Sequence, residues 1–61
     1  MNKYLEMQIV NQITVSENFK NTCMIASKQD DGITSAEEMK ILKKIDKETD
    51  AYIKALQKII N

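Results

Sequence analysis

From residue 36 to residue 61, apolar side chains return near the ~3.6-residue repeat of an α-helix. They are Met39, Leu42, Ile45, Ile53, Leu56, Ile59 and Ile60, with Thr49 and Tyr52 filling the gap in the stripe. The other side is lysine-rich, through Lys40, Lys43, Lys44, Lys47, Lys54 and Lys58. This division predicts an amphipathic helix over about 35–60 with one face on a core and one in water. Asp50 stands four residues before Lys54, the spacing of an intrahelical ion pair.

The start of that helix is marked. Proline is absent and Gly32 is the only glycine, so Asp30-Asp31-Gly32 is the one strong breaker, and a turn is expected over 29–34. Just beyond it, either Thr34-x-x-Glu37 or Ser35-x-x-Glu38 has the form of a capping box, which satisfies free amides at a helix start.

The arm before the turn supports two periods. Read as a helix over about 3–28, it carries a stripe of Met1, Leu5, Ile9, Ile13, Phe19, Cys23 and Met24, interrupted by Gln12, Ser16 and Lys20. Read as a strand, residues 5–16 alternate, with Leu5, Met7, Ile9, Ile13 and Val15 on one side and mostly polar residues on the other. The β-branched residues Ile9, Val10, Ile13, Thr14 and Val15 favour the strand. No second alternating run exists in the chain, so a strand could pair only across a dimer. The helical reading asks for less and is preferred.

The expected fold is therefore all-α: a single domain over residues 1–61, built as an antiparallel two-helix hairpin. Sixty-one residues bury little apolar surface, and small folds need a disulfide, a metal or self-association. One cysteine and no histidine leave neither a bridge nor a zinc ligand set, so self-association is expected. The first arm suits it. Tyr4, Met7, Val15 and Ile25 project away from its main stripe, and residues 7–16 carry no charge. A homodimer packed as a four-helix bundle would cover such a helix, with Tyr4, Leu5, Met7, Ile9, Ile13, Val15 and Phe19 as its interface. Asp46 and Thr49 interrupt one stripe as Gln12 and Ser16 interrupt the other, which predicts a polar layer that sets register.

Composition narrows function mainly by exclusion. Nine lysines balance nine acids, so no global field points to nucleic acid, membrane or an acidic substrate. The longest apolar run, Cys23-Met24-Ile25-Ala26, is too short to cross a bilayer, and a lone cysteine fits a reducing, cytoplasmic setting. Catalysis has little to work with: no histidine, and no base near Ser16, Ser27 or Ser35. Cys23 reads as a small buried hydrophobe. Gly32 and Glu38 have the separation of the glycine and last glutamate of a calcium loop, but Ser27 and Gln29 fall where the first ligands belong. No catalytic, cofactor or metal residue is assigned. The lysine row lacks arginine and is diluted by Glu37, Glu48 and Asp50, which reads as a solvated face.

If residues 9–15 form a strand, Ser16 can cap a helix over Glu17 to Lys28, and Gly32-Ile33-Thr34-Ser35-Ala36-Glu37 opens a second. That order resembles the ribbon-helix-helix repressors over residues 9–48. The resemblance implies a dimeric ribbon in the DNA major groove, with Gln8, Gln12 and Thr14 reading bases and Ser35 at a phosphate. The helical reading is instead similar in outline to plasmid copy-number hairpins that grip paired RNA loops. The preferred expectation is a small, non-catalytic interaction or regulatory protein acting as a homodimer through protein contacts. DNA binding stands as the alternative, with RNA or small-ligand binding behind it.

Overall fold

The computed structural model describes residues 1–61. It contains two helices, α1 (Lys3–Ala26) and α2 (Ala36–Ile60), which fold back on one another as an antiparallel hairpin. No helix is long and apolar enough to cross a membrane.

Residues 5–16 lie wholly inside α1, so the strand, and with it the ribbon-helix-helix dimer, is not what the chain adopts. A helix closes its own hydrogen bonds, whereas a strand here would present an unpaired ladder to water. The β-branched residues resist this only weakly, since each costs at most ~0.7 kcal/mol relative to alanine. Thr14 and Thr22 fit the helix by turning their hydroxyls onto the carbonyls of Val10 and Asn18.

The helix ends are locally encoded. Asn2 caps α1, its Oδ1 accepting from the Leu5 N–H at 2.8 Å. Of the two possible boxes before α2, the one formed is Ser35–Glu38: the Glu38 N–H donates to Ser35 Oγ (3.1 Å), and the Ser35 N–H donates to Glu38 Oε1 (2.9 Å). Between the helices, Ser27 Oγ lies 2.9 Å from Thr34 Oγ1, tying the two ends of the connection together. The Gly32 N–H donates to the Lys28 carbonyl (2.9 Å), and Asp31 Oδ1 accepts from the Ile33 N–H (3.0 Å).

Gly32 has φ 79°, the left-handed region that a Cβ disfavours, and nothing stands within 4 Å of where that Cβ would go. Gly32→Ala is therefore expected to cost backbone strain alone, about 1 kcal/mol. Urea denaturation should show a lowered midpoint with an unchanged slope.

The helices meet along a narrow seam. From α1 and its C-cap it takes Ile9, Ile13, Ser16, Lys20, Cys23 and Ser27; from α2, Leu42, Ile45, Thr49, Ile53, Leu56 and Ile60. The α1 residues alternate in steps of four and three, the ~3.5-residue repeat of helices that keep one seam in register. Ser16 and Thr49, which look like defects in apolar stripes, thus lie in the seam itself. Only Leu42 and Ile53 among apolar residues, and Ser16 among polar ones, are buried.

The molecule measures 46 × 17 × 9 Å, one helix thick. A stable domain ordinarily packs at least two layers around a core. Its radius of gyration, 14.4 Å, exceeds the ~10.5 Å of a compact chain of this length.

Candidate functional site

Each residue of a helix advances the side-chain direction by about 100°, so a seam on one side fixes what lies on the flanks. On one flank of α1 stand Leu5, Gln8, Gln12, Val15 and Phe19, again in alternating steps of three and four. On the flank of α2 that shares this side stand Ile41, Glu48, Tyr52, Ala55 and Ile59. Two hollows show that both flanks open on one face of the hairpin. A hollow of about 390 Å³ is lined by Gln12, Val15, Ser16 and Phe19 from α1 with Glu48, Thr49 and Tyr52 from α2. Nearer the turn, one of about 310 Å³ lies between Cys23, Ala26 and Ser27 and the α2 residues Glu38, Ile41, Leu42 and Ile45.

This face is apolar and nearly free of charge. From Tyr4 to Ala26, α1 contributes no charged residue to it. Glu48 is the charge at its centre, Lys44 lies at its outer rim, and Glu37 stands at the turn end. Phe19 and Tyr52, side chains that ordinarily bury most of their area, remain 51% and 48% exposed. Fourteen large apolar side chains are exposed, against the two that are buried. Of these, Leu5, Val15, Phe19, Ile41, Tyr52 and Ile59 share one side.

The opposite side is charged. Lys20 Nζ meets Asp50 Oδ1 at 2.6 Å, across the helices. Asp50 thus pairs with the neighbouring helix and not with Lys54. The hydrogen bond that Lys20 donates to Asp50 holds its ammonium above the ordinary lysine value of 10.5, helped by the charges of Asp50, Asp46 and Glu17 and opposed by partial desolvation. A raised folded-state value means that the pair's stabilisation is complete below pH 10.5 and is lost as pH climbs through the raised value. Lys20→Met should remove that alkaline component, seen by comparing thermal midpoints of the two proteins from pH 9 to 12. The exposed pair is individually weak, so register is its main contribution.

The residues expected at an oligomer interface divide three ways. Leu5, Val15 and Phe19 lie on the uncharged face, with Tyr4 at its outer edge, 82% exposed. Ile9 and Ile13 are half-buried in the seam against α2. Met7 lies on the far side of α1, beside Lys3, Glu6 and Val10. Ile41 and Ile59 complete the face on α2; Ile41 had no place in the α2 stripe, although its step of four from Ile45 was visible.

The four residues expected to meet nucleic acid in the ribbon reading are dispersed. Gln8 and Gln12 sit on the uncharged face, Thr14 turns onto its own helix, and Ser35 is committed to the α2 cap. Glu38 of the apparent calcium spacing is the other half of that cap. No three His, Cys, Asp or Glu side chains gather as a metal site. Cys23 is half-buried at the hollow nearest the turn. Compared with protein-family models, with curated proteins and with solved structures, the chain shows no significant match to any.

Proposed function

We propose that the protein is a small, non-catalytic interaction protein that works as a homo-oligomer, in a regulatory role exercised through protein contacts. The observation that carries this reading is the surface the hairpin leaves uncovered. A compact protein of 7.0 kDa exposes roughly 4,000 Å², whereas this chain exposes 5058 Å². The excess, on the order of 1,000 Å², is close to the ~800 Å² that each partner gives up in an ordinary specific interface.

Self-association also supplies what the hairpin lacks as a folded unit. Two buried apolar side chains do not offset the ordering of two long helices, each residue of which costs roughly 1–2 kcal/mol of backbone entropy. A second layer of helices would bury the side chains now exposed and supply a core of ordinary thickness. Cys23 suits a reducing compartment, and we place the protein in the cytoplasm on that ground.

Analytical ultracentrifugation at micromolar concentration tests the reading. The expected result is a mass of twice 7.0 kDa or a higher multiple. A folded species sedimenting as a monomer throughout would reject it.

A further inference from the structure

Resting on that reading, we propose that the uncharged face of the hairpin seats a second copy of the chain, docked about a two-fold axis parallel to the helices, so that both turns lie at one end of a four-helix bundle.

A second copy fits this face on three counts. The uncovered area matches what one partner of a stable pair buries, as given above. The face runs the length of both helices, which are nearly equal at 24 and 25 residues, so a twin laid on it leaves neither end bare. Its residues recur in steps of three and four along α1 and, on α2, from Glu48 to Ile59, the spacing with which one helix layer presents knobs to the holes of another. Phe19 and Val15 rise beside the larger hollow, and the same side chains of a twin are of a size to enter it.

Charge selects the arrangement. Two symmetric ways of stacking the hairpins keep all neighbouring helices antiparallel. If the turns lie at opposite ends, α2 crosses α2 of the twin at mid-length. Glu48 is the middle residue of α2 and lies on this face, so two carboxylates would meet near the centre of an apolar interface, desolvated and repelling.

If the turns lie at one end, α2 faces α1 of the twin at equal height. In the hairpin, Glu48 stands beside the Ser16–Thr49 layer, and Gln12 lies a turn nearer the open end of the same hollow. Each Glu48 would then lie against the twin's α1, which brings no charge to this face, and the two carboxylates would be kept apart. The cost is that Asp30 and Asp31 of both copies approach at the turn end. Those residues are exposed, and water and salt screen them over about 10 Å, whereas carboxylates at the centre of the interface would be shut off from solvent. Lys44 and Glu37, at the rim and the end, also remain in solvent.

Three variants, followed by sedimentation equilibrium, test the face and the arrangement. Val15→Glu should weaken the dimer by about 100-fold or more, since it buries a charge. Glu48→Leu should tighten it at least about tenfold, the converse change, and does not depend on a variant that fails to fold. Glu17→Gln, on the charged side, should leave the constant unchanged. If the first two also leave it unchanged, the dimer uses another surface and the inference is overturned while the reading of a homo-oligomer stands. A wild-type protein that stays monomeric overturns both. The arrangement is read from spin labels at Asp31→Cys in a Cys23→Ser background. A separation well below the 46 Å length of the molecule is expected, and one near that length overturns it.

Discussion

Replacing Phe19 with glutamate is expected to split the protein into monomers and, with the same change, to melt most of its helix. Phe19 stands on the uncharged face beside the larger hollow, half exposed in the single hairpin. In a bundle it would be central, and a carboxylate there would have to be desolvated without a cation nearby. The penalty is roughly 3 kcal/mol or more, a weakening of dimerisation of at least about 100-fold. Because the hairpin alone buries only Leu42 and Ile53 of its apolar residues, the separated chain has little left to hold it. Sedimentation and far-UV circular dichroism should therefore report the loss together. Met7→Glu is the matched control: it places the same charge on the same helix but on the far side, beside Lys3, and should change neither.

Leu42→Ala is expected to have the next largest effect. Leu42 sits in the seam at 7% exposure, and truncating a buried leucine costs about 2–5 kcal/mol through lost transfer energy and the cavity left behind. In most small domains that loss is shared among many buried side chains. Here it removes half of the buried apolar pair, so the urea midpoint should fall to a small fraction of the wild-type value, with the slope unchanged if unfolding remains two-state. Ile41→Ala, one position earlier and on the uncharged face, should act mainly on dimerisation, and the comparison separates the two surfaces of α2.

The hairpin was legible because its punctuation is local. One glycine, a serine three residues before a glutamate, and a stripe against lysines are each readable within a single helical turn, and the turn and α2 follow from them. The first arm resisted for a physical reason: α1 carries two adjacent apolar seams, one toward α2 and one toward the uncharged face. Superposed, they look like a broad, interrupted stripe that a strand's alternation can imitate over residues 5–16. The sequence pattern therefore groups Ile9 and Ile13 with Leu5 and Phe19, though they face different neighbours, and adds Met7 from a third direction.

The Lys20–Asp50 pair shows a second limit. A pairing between residues four apart follows from the geometry of one helix. A pairing across thirty residues needs the register of two. Ser16 and Thr49 carried that information, because a polar residue at a seam position marks where helices are brought into step. Of the four residues expected in a polar layer, Ser16 and Thr49 lie in the seam, whereas Gln12 and Asp46 are exposed outside it.

The central claim is that a second copy completes the fold of this hairpin, and thermal unfolding at several protein concentrations tests it most directly. Association coupled to folding makes the midpoint depend on concentration by mass action. For two chains of 61 residues the midpoint should rise by about 5 °C for each tenfold increase. A sharp transition whose midpoint does not move over a hundredfold range of concentration would show that the single hairpin is stable alone, and would contradict the account.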